Sequence, residues 1–249
     1  MTITLGRNEM QKPTQVSATH AALHGSAFER LNVGTRALLQ VLRNPNDTEQ
    51  VLILGLVAGR SRFPLFLTRF LLTDDGASLL SERPAIDSKH VDFAWLRSLP
   101  EGTLGRAYID FVDREKIDPD FFQPPPNLPA VPTYISQRMR QTHDLWHVVT
   151  GYHTDVAGEL ALQAFTYGQT DMPPPLLVSV FGSMRFGIED RRIFKMTFDG
   201  FRRGRRASFL PSVRWEDRWT HALADVRLEL GIEDPRVEAI ALERRLNAA

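Results

Sequence analysis

The sequence predicts an all-α protein: a single multi-helix domain built around a central helical hairpin that carries a candidate metal site. Three observations lead there. Apolar residues recur at spacings of three, four and seven along most of the chain, and strand-like alternation is nowhere sustained. The clearest break is "DPDFFQPPPNLPAVPT", 118–133, where five prolines in nine residues forbid helix. Beyond it, "THDLWHVVTGYHTDVAGEL", 142–160, reads as two helices joined by a short turn.

Taken in order, residues 1–16 read as a flexible arm and 17–249 as one all-helical domain. Ala22, Leu23, Phe28, Leu31, Leu38, Leu39 and Leu42 give a helix over 18–43, stopped by Asn44-Pro45. Asp47 is placed to cap a helix over 48–58. "RFPLFLTRFLLTDDG" gives an apolar helix over about 63–73, ended by Asp74-Asp75-Gly76. Helices are further expected over 88–98, 104–116, 133–150, 155–168, 175–200, 215–230 and 235–246. The proline-rich segment 118–133 fits either a linker or a stiff strap across one domain. The strap is preferred, because neither half shows a core pattern of its own.

Composition narrows the function classes. A chain of 249 residues can bury a sizeable core. Formal net charge is zero, which gives no footing for a nucleic-acid binder. Of the 30 Lys and Arg residues only Lys12, Lys89, Lys116 and Lys195 are lysines, a bias that a GC-rich genome explains. There is no cysteine, so any metal must be held by nitrogen and oxygen. The first residues lack the apolar run of a secretory signal, and no segment supplies the roughly 18 apolar residues of a membrane span. The expected location is cytoplasmic.

In the hairpin, His143 and His147 are four apart and share one helix face. Gly151 can end their helix, and Thr154 or Asp155 can cap the next. His147 lies about one turn before the first helix ends and Glu159 about one turn after the second begins, so the two fall at similar height on antiparallel neighbours. His143, His147 and Glu159 can then converge, with Asp144 beside them as a further ligand or an acceptor for a ligand's N–H. Two imidazoles with carboxylates suit a divalent metal, zinc first, iron or manganese next. The bland alternative is a polar stripe on a helical hairpin. The zincin signature does not fit, because Asp144 stands where that motif has its glutamate. His153 reads as a turn residue.

Four segments together resemble the ubiquinone-biosynthesis family named after the fourth mitochondrial coenzyme Q protein. "HDLWH" with the following Glu159 resembles its metal motif. "LPEGTLGRAYIDFVD", 99–113, "TDVAGELALQAF", 154–165, and "GFRRGRRASFLPSVRWEDRW", 200–219, resemble its flanking segments. The resemblance implies an all-helical fold and a divalent-metal site at His143, Asp144, His147 and Glu159, residues that would also be catalytic. It implies oxidative removal of the ring C1 carboxylate of a prenylated benzenoid precursor, leaving a hydroxyl. The expected partners are a prenylated quinone intermediate, other ubiquinone-biosynthesis proteins and a membrane surface, with the protein peripheral to the inner membrane. A non-catalytic prenyl-lipid-binding scaffold is the alternative, and a hydrolase a third reading.

Three further segments bear on those partners, each with two readings. Leu177, Val180, Phe181, Met184 and Ile188 offer a surface for a prenyl tail or an ordinary core face. Arg202, Arg203, Arg205 and Arg206 would face lipid headgroups or a phosphate, or form a solvated, ion-paired surface. Phe63, Phe66 and Phe70 would dip into a bilayer surface or form a homodimer contact, or fill the core.

Overall fold

The computed structural model describes residues 18, 20–22, 24–43, 48–121 and 129–233. The expected arm 1–16, residues 122–128 of the strap, and the helix expected over 235–246 lie outside them; the strap's last residues, 130–133, are helical rather than extended. The chain divides into two compact units, residues 1–61 and 62–249. Among the described residues every regular element is helical, and one isolated antiparallel bridge pairs Thr103 with Ala222.

The first unit holds α1 (Ala27–Arg43) and α2 (Thr48–Ala58). The helix expected over 18–43 is interrupted. Ser26 starts α1 anew through a capping box: its hydroxyl accepts from the Glu29 N–H at 3.2 Å, and its own N–H donates to the Glu29 carboxylate at 2.7 Å. The buried stripe is Gly34, Ala37 and Val41, whereas Phe28, Leu31 and Leu39 are exposed. Small residues face α2, where Ile53 and Leu54 are buried.

The second unit runs α3 (Phe63–Leu71), α4 (Gly76–Glu82), α5 (Phe93–Ser98), α6 (Leu104–Glu115), α7 (Ala130–Thr150), α8 (Val156–Thr170), α9 (Pro173–Phe186), α10 (Arg192–Arg206) and α11 (Leu223–Glu229), with 3₁₀ turns at Leu210–Ser212 and Trp215–Arg218. On α3, Phe66 and Phe70 are buried with Leu79, Tyr134 and Ile135, which settles those two phenylalanines as core. Leu65, Leu71 and Leu72 are the exposed apolar residues there.

The main core gathers Leu104, Tyr108, Ile109 and Val112 of α6, Leu145, Trp146 and Val149 of α7, and Leu162 and Phe165 of α8 around Trp215, Trp219 and Val226. Each such large apolar side chain contributes about 1.5–3 kcal/mol by leaving water. The first N–H groups of α6 are satisfied from a distant segment: Leu104 donates to the His221 carbonyl and Gly105 to that of Trp219, both at 2.9 Å.

The helix expected over 175–200 is two helices. α9 ends at Phe186, with Gly187 as its cap, and α10 begins after Asp190, whose carboxylate accepts from the Arg192 N–H at 3.0 Å. α10 then packs backbone to backbone on α8. A Cβ on Gly200 would lie 2.3 Å from the Ala161 carbonyl oxygen, and one on Gly204 equally close to that of Phe165. Only glycine permits this approach, so α10 lies directly against the backbone of α8.

Candidate metal centre

The hairpin turn is fixed by local chemistry at both ends. Gly151 adopts the left-handed conformation (φ 76°), and its N–H donates to the His147 carbonyl at 2.8 Å. Asp155 caps α8, accepting from the Gly158 N–H at 2.8 Å. The remaining carbonyls at the end of α7 are taken by arginines from elsewhere. Arg227 donates to Val148 and Val149, each at 2.9 Å, and Arg203 donates to Thr150 at 2.8 Å. Two guanidinium groups at the negative end of a helix suit its dipole. They also pin the final turn, and with it His147.

Within this frame His143, His147 and Glu159 each aim one donor atom at a common point, all within 4.8 Å of one another. His147 Nε2 lies 3.2 Å from Glu159 Oε1, and His143 Nε2 lies 3.6 Å from Glu159 Oε2. The imidazole rings stand edge to face, centroids 4.9 Å apart. Phe111 of α6 stacks on the His147 ring at 5.5 Å. His147 is buried, while His143 and Glu159 are half-buried, so the donor group is partly accessible.

The His147 Nδ1 lies 3.0 Å from the Tyr152 carbonyl oxygen. A carbonyl only accepts, so Nδ1 carries a proton, and in the neutral ring Nε2 keeps the lone pair that a cation would take. That second contact is the support found behind metal-ligating histidines. Two imidazole nitrogens and a carboxylate oxygen at this spacing are a donor set that fits a divalent cation. Asp144 is outside the convergent group: it is half-buried on the same helix, and burial raises its pKa against the opposing pull of His143 and Arg140.

Charge on the three donors is mutually adjusted. Burial works against the Glu159 carboxylate, yet the two imidazoles hold it well below the usual carboxylate range. Burial likewise opposes a charged His147, but Glu159, the Tyr152 carbonyl and Asp144 raise its pKa overall. A raised pKa means that more of His147 is protonated near neutral pH than for a free imidazole, and that proton must leave before Nε2 can bind a cation. Metal uptake at neutral pH is therefore expected to release protons, and the release to vanish at alkaline pH. Calorimetric titration in two buffers of different ionisation enthalpy measures it; equal heats in both buffers at neutral pH would contradict the arrangement.

The arginine run is divided by the structure. Arg203 caps α7 and lies over the Tyr152 ring at 4.8 Å. Arg205 pairs with Asp171 at 3.0 Å, and Arg202 approaches Asp199 at 3.7 Å. Arg202, Arg205 and Arg206 are exposed. His153 is an exposed turn residue. What sequence reasoning missed is the support around the donors, Tyr152, Phe111 and Arg227, and the anchor of their helix, Arg138. Arg138 of α7 is 1% exposed and forms a two-pronged ion pair with Glu216, one arm at 2.8 Å. The only sequence signal for it was the Trp-Glu pair at 215–216.

Fold and site together define a helical protein with a cation-type donor cluster set in an α-hairpin. The model of the family described as coenzyme Q (ubiquinone) biosynthesis protein Coq4 matches residues 19–236, and the chain belongs to that family. The mitochondrial ubiquinone biosynthesis protein COQ4 homologue of Bos taurus is 31% identical over 220 residues, covering 86% of this chain and 83% of the relative. The human homologue is 32% identical over 208 residues, covering 82% and 78%. A crystal structure from Nostoc punctiforme PCC 73102, described as a candidate ubiquinone biosynthesis protein, superposes with a TM-score of 0.64 at 26% identity. The match covers 81% of this chain and 97% of that one.

Proposed function

We propose that this protein acts in ubiquinone biosynthesis as a metal-dependent enzyme, removing the C1 carboxylate of a prenylated benzenoid precursor and leaving a hydroxyl. The observation that carries this reading is the convergence of His143, His147 and Glu159 in a chain matched by the family over 19–236. Zinc is the first choice for the two imidazoles and carboxylate, with iron or manganese next.

The residues divide the work as follows. His143, His147 and Glu159 would hold the cation, and the Tyr152 carbonyl fixes which nitrogen His147 would present to it. When bound, the cation supplies Lewis-acid polarisation of a ring or carboxylate oxygen. Asp144, its pKa raised by burial, is placed to hold or exchange a proton beside the ring. Phe111 covers one side of His147 and keeps water from it. Exchanging carboxyl for hydroxyl releases carbon dioxide, takes its hydroxyl oxygen from water and passes two electrons to an oxidant from outside the chain such as dioxygen, which would leave as hydrogen peroxide.

The prenyl tail is assigned to the outer face of α9 and α10. Val180, Phe181, Met184, Ile188, Phe194 and Phe198 are all exposed there, and Arg202 lies over the Phe198 ring at 5.9 Å. Apolar rings interleaved with long cations suit the surface of an anionic bilayer, where the charged heads remain in water. No helix among the described residues is long and apolar enough to cross a membrane, so the contact proposed is peripheral. Arg202 and Arg206 are exposed on the same helix and suited to a headgroup phosphate.

The same apolar face favours a second reading, a lipid-binding scaffold for the other enzymes whose metal is structural. Mass spectrometry of quinone intermediates separates the two, in a deletion strain complemented with wild type, His147→Ala or Glu159→Gln. Enzymatic function requires a carboxylated prenyl-phenol to accumulate in both variants while the protein remains folded and associated with its partners. Unchanged quinone levels would remove the enzyme reading, and loss of partner assembly with no such intermediate would favour the scaffold.

A further inference from the structure

Glu115 occupies the last turn of α6, where a carboxylate faces the negative end of the helix and opposes local stability. Residues that work against their own element are where function is to be sought. Glu115 lies four residues after Phe111, on the same face of α6. Phe111 stacks on the His147 ring, so that face forms a wall of the donor cluster. Glu115 Oε2 accepts from the Thr154 hydroxyl at 2.7 Å, and Oε1 accepts from Arg114 at 2.9 Å. Thr154 belongs to the turn between α7 and α8, two residues after Tyr152, whose carbonyl accepts from His147 Nδ1. The turn is thus gripped from two sides: Arg203 lies against Thr150 and the Tyr152 ring, and Glu115 holds Thr154.

We propose that Glu115 is a positioning residue for the metal centre: by holding Thr154 it fixes the turn whose Tyr152 carbonyl orients His147, and its negative charge favours a cation at the donors. The inference rests on the metal-binding reading given above. Glu115 touches neither the cation nor the substrate; it acts through Thr154 and Tyr152. Its carboxylate also interacts electrostatically with His147, which places its charge within range of the site.

The test is divalent-metal binding by purified full-length protein, with zinc affinity from chelator competition and the visible spectrum of the cobalt(II) form. Melting temperature is the fold control. Glu115→Ala and Thr154→Val are each expected to weaken zinc about tenfold and to shift the cobalt band, as removal of support behind a ligand does. Because both break one linkage, the double variant should be no more than about threefold weaker than Glu115→Ala alone. Thr154→Ser retains the hydroxyl and should restore wild-type affinity and spectrum. Glu115→Gln keeps an acceptor without the charge and should fall between wild type and Glu115→Ala, separating grip from electrostatics. Affinities within about twofold of wild type in both single variants, or losses that multiply in the double, would overturn the proposal while leaving the metal site standing. A wild-type protein that binds neither zinc nor cobalt would remove the metal reading and this inference with it.

Discussion

Replacing His147 with alanine is expected to lower divalent-metal affinity by more than about 100-fold, because losing an inner donor exceeds the 10–100-fold cost of losing a ligand's support. His147 is the buried member of the donor set, at 2% exposure, and its ring is held by Phe111 on one side and the Tyr152 carbonyl on the other. No neighbouring group can replace a nitrogen held in that way. Glu159→Gln should weaken binding as well, because an amide keeps the shape but not the charge that both imidazoles face. Chelator competition with purified variants checks both substitutions, and circular dichroism confirms that the helices persist. Equal affinity in wild type and His147→Ala would mean that the cation, if bound, is held elsewhere.

The second large effect concerns stability. Arg138→Met is expected to destabilise the protein by about 3 kcal/mol, the low end for breaking a buried ion pair, since Glu216 retains 21% of its side-chain exposure. Arg138 also donates to the Val213 carbonyl at 3.0 Å, so the substitution leaves a carboxylate and a buried carbonyl without that donor. At about 2–4 °C per kcal/mol for a unit of this size, the melting temperature should fall by about 6–12 °C. The pair variant Arg138→Met with Glu216→Met should recover much of the loss, since an apolar pair leaves no charge stranded. Differential scanning calorimetry of the single and double variants decides. A double variant as unstable as the single would show that the ion pair itself, not the stranded charge, sets the cost. Arg138 is on the same helix as the two histidines, so loosening its anchor is expected to weaken metal binding too.

The hairpin was legible in the sequence because its instructions are local. Gly151 takes a conformation that most residues avoid, and Asp155 accepts from an N–H three residues ahead; both roles follow from residue type and place. Counting turns outward from that bend places His147 opposite Glu159, and the structure brings them to 3.2 Å. Asp144, next to His143 in sequence, interacts electrostatically with His143, His147 and Glu159 but is not among the three residues whose donor atoms lie within 4.8 Å of one another.

The break between α9 and α10 was hidden because apolar residues carry on through Phe186 and Ile188 at helical spacing, masking Gly187 and Asp190. The restart at Ser26 was hidden for the same reason, although Ser26 and Glu29 spell a capping box. Arg227, Arg203 and Glu115 were not legible at all as supports of the site. Their partners are 78, 53 and 39 residues away, and nothing local distinguishes such residues from surface charges. For the same reason sequence left the arginine run open between a headgroup site and an ion-paired surface, whereas in the fold Arg203, Arg202 and Arg205 each have a separate partner.

The central claim is that one divalent cation sits between α7 and α8, held by His143, His147 and Glu159. Anomalous diffraction from crystals of the zinc-loaded protein, measured across the zinc absorption edge, tests it most directly. The expected result is a single strong peak bonded to Nε2 of both histidines and to the Glu159 carboxylate. A map without a peak there, or with zinc only at other residues, would contradict it.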